Sequence, residues 1–251
     1  MTRDSFSEET LDDLRVGGLK IYQRKNGYRF SLDPILLCAF ARVEAGERVA
    51  DLGTGAGVIP LVLARRTAAV RIVGIEVQAQ LAERARRSVV LNGLEERIEI
   101  LTADVRAIDK QLAPRSFSVV LSNPPFRAAG SGRLAPENER AAARHELAGG
   151  LGDFLRAAAG LLPVGGRFYV VYLAERLADL LEGMRRAGLE PKRLRCVHGR
   201  LGEAARMVLV EGRRGGRPGL ALEAPLVIFS GEGYSAEVRA IYDPEEPDAD
   251  F

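Results

Sequence analysis

"VADLGTGAGVIP", residues 49–60, decides the fold. A β-branched run enters a turn built on Gly53, Gly55 and Gly57, and an apolar helical pattern leaves it. Glycines at alternate positions accept positive φ and let a ligand approach the backbone closely, while the helix that follows aims its first N–H groups at whatever binds there. A strand, a glycine turn and a helix in this order imply a parallel crossover, and therefore a sheet covered on both faces.

The same alternation continues outward from this turn. Strands are expected at "RVADL" (48–52), "RIVGIE" (71–76), "IEILTA" (98–103), "FSVVLS" (117–122), "RFYVVYL" (167–173), "RLRCVH" (193–198) and "ARMVLVE" (205–211). Helical patterns fall between them at 57–66, 79–92, 151–162 and 177–188. In the second of these, Leu81, Ala85 and Val89 share one face, and Asn92-Gly93 is a stop signal. After residue 190 strand follows strand, so the sheet is expected to end in an antiparallel hairpin, with "GRRGGRPG" (212–219) as a flexible insertion. Residues 1–45 read as an N-terminal extension or lid, residues 46–251 as the main domain, and the acidic "DPEEPDADF" (243–251) as a disordered tail.

The chain has 251 residues, 47% of them hydrophobic and 28% charged, enough for one large α/β domain with a sizeable core. No apolar run is long enough to span a membrane, and "MTRDSFSEET" does not read as a leader peptide. Two cysteines and two histidines, without paired spacing, give no zinc site and point to a reduced, cytoplasmic setting without metal. The net charge of +2 is close to neutral, yet residues 185–217 hold ten Lys/Arg against three acids. That stretch is either a solvated surface or a phosphate-binding face.

Three acids sharpen the glycine turn. Asp51 stands two residues ahead of Gly53, Glu76 closes the second sheet strand, and Asp104 closes the third. A carboxylate ending the second strand suits ribose hydroxyls. An acid directly ahead of the glycines would repel a pyrophosphate but welcome an ammonium, and this favours S-adenosylmethionine over a dinucleotide. Asp104 would then lie at the adenine end, although a carboxylate there also serves as a helix N-cap.

"LSNPPF" (121–126) ends the fourth strand at the carboxyl edge of the sheet, where ligands bind. Methyl transfer is an in-line displacement that mainly needs placement of the nucleophile. If the nucleophile is an exocyclic amine, the Asn123 side-chain oxygen and the Pro124 carbonyl accept its N–H groups and direct its lone pair. Pro125 holds Pro124 extended, and Phe126 offers a face to a planar base.

Together "DLGTGAG", "GIE", "TAD" and "NPPF" resemble the Asn-Pro-Pro-Tyr/Phe class of S-adenosylmethionine-dependent methyltransferases. The flanking "YQRKNGYRFSLDPILLCAF" (22–40), "AARHE" (142–146) and "YSAEVRAIY" look like the bacterial valine-tRNA adenine-N6 methyltransferase family. The resemblance implies a Rossmann-like class I methyltransferase: α/β, with a mostly parallel seven-stranded sheet, a terminal antiparallel hairpin and helices on both faces. It implies that Asp51, Gly53, Thr54, Gly55, Gly57, Glu76, Val77, Asp104, Val105 and Asn123 hold the donor. Asn123, Pro124, Pro125 and Phe126 would hold the target amine, and Arg29, Phe30, Asp33, Phe126, Arg144 and His145 would contact the substrate. The expected substrate is tRNA, bound by a monomer or weak homodimer. Phe126 stands where the class often has Tyr. A guanine-N2 rRNA methyltransferase and a release-factor glutamine-N5 methyltransferase share the motif, and so remain alternatives.

Overall fold

In the computed structural model, residues 9–25, 31–67, 71–125 and 149–242 are described. The chain opens with an antiparallel hairpin, β1 (Glu9–Asp13) and β2 (Lys20–Arg24), followed by α1 (Asp33–Phe40). The crossover units come next: β3 (Arg48–Leu52), α2 (Val58–Arg66), β4 (Arg71–Glu76), α3 (Ala79–Leu91), β5 (Ile98–Thr102), a 3-10 stretch (Val105–Lys110) and β6 (Val119–Ser122). Then come α4 (Leu151–Leu161), β7 (Arg167–Leu173), α5 (Leu177–Arg186), β8 (Leu189–His198) and β9 (Ala205–Arg214). The short strands β10 (Ala221–Leu222), β11 (Leu226–Val227), β12 (Phe229–Ser230) and β13 (Gly233–Tyr234) lead to α6 (Ala236–Tyr242).

The main sheet runs β10-β8-β9-β7-β6-β3-β4-β5, with β11 also paired to β8. β3 pairs in parallel with both β4 and β6, so the order reverses beside β3 and a crevice opens at its carboxyl end. β9 runs antiparallel to both β7 and β8, which is the expected hairpin. The sheet has nine strands where seven were expected. The two additions pair outside β8, and each is only two residues long, too short to leave a periodic signal in sequence.

Central strands read as continuous apolar runs because both faces are covered. In β3, Val49 packs into a core with α1, α2 and α3, while Ala50 and Leu52 pack into a second core with α4 and α5. Helix α3 buries Ala82, Ala85 and Val89 at helical spacing, with Leu81 only half-buried at the rim, and Gly93 at φ 64 ends it as expected. β9 extends through Arg213 and Arg214, which pair with β7 and β8, so the glycine-rich stretch starts within a strand. Residues expected to be an extension contribute Leu14, Ile21, Ile35 and Leu37 to the first core. The tail 243–251 lies outside the described residues.

Candidate active site

β3 delivers Leu52 to the carboxyl edge and the chain turns at Gly53 (φ 75), Gly55 (φ 58) and Gly57 (φ 93), a region that L side chains rarely occupy. The N–H groups of Gly53 and Thr54 both donate to the Ile75 carbonyl at 2.9 Å, which ties the turn to β4. A Cβ on Gly53 would sit 3.0 Å from the Phe154 ring, whereas one on Gly55 would meet nothing within 4 Å. Gly55 therefore faces open space. Within β4, a Cβ on Gly74 would lie 2.9 Å from Thr54 Oγ1 and 2.8 Å from Ile100, so Gly74 makes room for the threonine. The isolated glycine inside "RIVGIE" was the sequence signal for that contact.

The three acids differ sharply in environment. Asp51 is 0% exposed, and among the described residues neither carboxylate oxygen has a hydrogen-bond partner. Burial pushes its carboxyl up to about 7; the Thr54 hydroxyl offsets this in part without a formed hydrogen bond, and the charge of Glu76 adds to the rise. Glu76, also buried, accepts the N–H of Gly55 at 3.0 Å and of Gln78 at 2.9 Å. Burial raises its pKa, and these backbone donors oppose the shift. Asp104 caps the 3-10 stretch by accepting the Arg106 N–H at 2.9 Å, and it pairs with the Arg106 guanidinium at 2.6 Å. Those hydrogen bonds hold its carboxyl below the usual range. The N-cap expectation for Asp104 is therefore met, just past the carboxyl end of β5. Val77 is half-buried and Val105 buried on either side of this edge.

The register pairs Leu52 with Ser122, so the residue after each, Gly53 and Asn123, emerge side by side. Ser122 Oγ donates to the Leu52 carbonyl at 2.9 Å and locks the two strand ends together; this tie escaped the sequence reading. Asn123 Oδ1 is buried and has no hydrogen-bond partner among the described residues. A buried acceptor left empty costs roughly 1–3 kcal/mol, a cost that a ligand N–H removes. Pro124 is buried and Pro125 half-buried behind it. Phe126, Arg29, Phe30, Arg144 and His145 lie outside the described residues. Asp33 opens α1 and accepts Ser31 Oγ at 2.7 Å, with burial raising its pKa.

The arginine-rich stretch resolves mainly into internal pairing. Arg185, Arg186 and Arg195 pair with Glu190, Glu182 and Glu237, and Arg193 bridges Glu211 and Glu223 at 2.6 Å each. Arg213 lies opposite Arg167, at the edge where the parallel strands begin and away from Asn123. A cavity of about 410 Å³ lined by Lys192, Arg193, Arg213 and Arg217 belongs to that far edge, not to the glycine turn. The solvated-surface reading accounts for most of these residues. His198 Nδ1 sits 2.7 Å from the Glu203 carbonyl, a structural contact. Among the described residues, no group of three or more potential metal ligands forms, and no helix is long and apolar enough to cross a membrane.

Comparison with known proteins agrees with this geometry. The methyltransferase small domain family matches residues 34–179. A protein of Porphyromonas gingivalis named tRNA1(Val) (adenine(37)-N6)-methyltransferase is 34% identical over 186 residues, covering 72% of this chain and 69% of its own. A predicted O-methyltransferase from Agrobacterium tumefaciens superposes with a TM-score of 0.69 at 25% identity, over 84% of this chain and 95% of the other. The Thermus thermophilus 16S rRNA N2 G1207 methyltransferase, solved with AdoMet and guanosine, shares the fold at a TM-score of 0.57 and 19% identity, over 82% of this chain and 50% of the other.

Proposed function

The chain belongs to the methyltransferase small domain family and is an S-adenosylmethionine-dependent methyltransferase, and on that premise we propose that its target is the exocyclic N6 amine of an adenine in tRNA, beside the anticodon of valine tRNA. The unpartnered Asp51 carboxylate, the unpartnered Thr54 hydroxyl and the open space over Gly55 fit a ligand with an ammonium, hydroxyls and no phosphate. Glu76 and Asp104 stand at the ends of the next two strands to accept from ribose and adenine. When bound, S-adenosylmethionine supplies an electrophilic methyl group.

The observation that carries the reading is the buried, empty acceptor at Asn123 Oδ1 beside the glycine turn. An amide oxygen there accepts one N–H of the target amine and restrains its nitrogen, so that the lone pair faces away from the protein backbone. Asn123 carries no charge, so it fixes the amine without deprotonating it, and the surplus proton leaves to water afterwards. Ser122 and the two prolines hold the amide in place. Phe126 is assigned the face on which the flipped base rests. Among the curated relatives, the name tRNA1(Val) (adenine(37)-N6)-methyltransferase recurs, and this supports adenine over guanine.

The test offers methyl-labelled S-adenosylmethionine with unmodified tRNA, rRNA and release factor in parallel, followed by nucleoside analysis. Label in N6-methyladenosine from tRNA is expected. Label in N2-methylguanosine from rRNA, or only in protein, would overturn the substrate and leave the donor site standing.

A further inference from the structure

The carboxyl edge carries a second feature, three strands from Asn123. Past β11, the Ile228 and Phe229 N–H groups donate to the carbonyls of His198 and Gly199 at 2.9 Å, and this holds Phe229 at the end of β8. Phe229 stacks on Tyr234 at 5.5 Å and 17°, and Tyr234 stacks on Tyr242 at 5.7 Å and 18°. The inner two rings are half-buried against the first core, while Phe229 stays 39% exposed. Arg200 lies over the Phe229 ring, with Cζ 5.7 Å from its centroid, and is fixed by a 2.6 Å bond to the Gly231 carbonyl. Arg239 donates to the Tyr234 carbonyl at 2.8 Å. Unlike Arg193 and Arg195 of β8, neither Arg200 nor Arg239 forms an ion pair among the described residues.

A stack whose inner two rings are half-buried and whose outer ring stays 39% exposed, with a guanidinium across it that forms no ion pair among the described residues, is poorly explained by folding alone. A nucleobase has a π-face for the ring, and its phosphate has a charge for the arginine. The placement suits this. Ser122 is level with Val170, Val210 and Leu194 across the sheet, and Gly199 lies five residues beyond Leu194. At about 3.3 Å per residue and about 4.8 Å per strand, the ring sits on the order of 20 Å from Asn123 along the same edge. A few extended nucleotides cover that span.

We propose that Phe229 and Arg200 form a stacking platform for a nucleobase flanking the target, so that the RNA lies along the carboxyl edge with its target base at Asn123. This rests on the RNA-substrate reading above.

The test compares wild type, Phe229→Ala, Phe229→Trp and Arg200→Gln on the RNA that wild type methylates. The readouts are KM, kcat, donor affinity and the salt dependence of RNA binding. Phe229→Ala should raise KM for RNA about tenfold with kcat within about threefold and donor affinity unchanged, and Phe229→Trp should restore KM. Arg200→Gln should lower the salt slope by about one. A wild-type KM in Phe229→Ala overturns the platform. So does a joint loss of donor affinity that Trp does not restore, which would mark a folding role. If wild type labels only protein, the RNA reading falls and takes the platform with it; if it labels RNA and Phe229→Ala matches it, the platform alone falls.

Discussion

Asn123 Oδ1 and both Asp51 carboxylate oxygens are buried and, among the described residues, unpartnered, but they have different consequences. On the proposed reading, replacing Asn123 with Ala removes an acceptor whose main partner is the target amine. Donor affinity by calorimetry should therefore stay within about threefold while turnover falls by about 100-fold or more, in the range for losing one preorganised polar contact. A matching loss of donor affinity would contradict the assigned role. Burial moves the Asp51 pKa from the ordinary 3.8 to about 7. In the absence of donor, the folded state therefore binds a proton at this carboxyl more readily than the unfolded chain does, so the contribution of Asp51 to stability is greatest at acid pH. It falls as pH rises from about 4 to about 7, and is level above that. Asp51→Asn should flatten this dependence and raise Tm at pH 8, yet weaken donor binding. If the ionised carboxylate is the partner of the donor's ammonium, donor affinity of the wild type at pH 6 should be up to about tenfold weaker than at pH 7.5. A pH-independent donor affinity would contradict Asp51 as the ammonium's partner. Both residues were legible in sequence, because each stands at a fixed offset from a strand end. Their emptiness was not legible, since it depends on Ser122, Thr54 and Gly74 arriving from three strands.

At the level of elements, β-branched runs such as "RIVGIE" and "RFYVVYL" announced their strands because the buried sheet requires them apolar. The hairpin β1–β2 stayed hidden behind the acids of "ETLDD", and ion pairs add to the core contacts of Leu14 and Ile21 in tying it to α3. Glu9 bridges Arg84 at 3.0 Å and Arg87 at 2.5 Å on α3, Tyr22 N–H donates to Ser88 Oγ at 3.1 Å, and Arg87 lies over the Tyr22 ring at 4.8 Å. Burial acts to raise the Glu9 pKa, but the hydrogen bonds from Arg87 and Arg84 outweigh it and leave it lowered. Arg84, at 6% exposure, would be stranded without its partner. Glu9→Ala should therefore cost about 1–3 kcal/mol, lose most of its effect when Arg84 and Arg87 are also removed, and speed hydrogen exchange at the Tyr22 amide. An unchanged Tyr22 amide would mean that the apolar contacts of Leu14 and Ile21 hold the hairpin unaided. Charged partners 75 residues or more apart leave no pattern in a single sequence, which is why this element was missed.

For the molecule as a whole, the strand order follows from alternation and the right-handed crossover, so the crevice beside β3 could be placed from sequence. Charge distribution was less informative: the arginine-rich stretch looked like one face, but folding sends its members to both edges of the sheet and pairs half of them with glutamates. What remains at the carboxyl edge is a single line of features, from the donor turn through Asn123 to the exposed ring of Phe229. An elongated polynucleotide suits such a line better than a compact protein substrate does. The most direct measurement uses two valine-tRNA transcripts, one unmodified and one with purine, which lacks the exocyclic amine, in place of the adenine beside the anticodon. Each is incubated with enzyme and S-adenosylmethionine and analysed by nucleoside mass spectrometry. The account predicts one N6-methyladenosine per unmodified transcript and no methylation of the purine-substituted one. Equal methylation of both transcripts, or N2-methylguanosine in either, would contradict it.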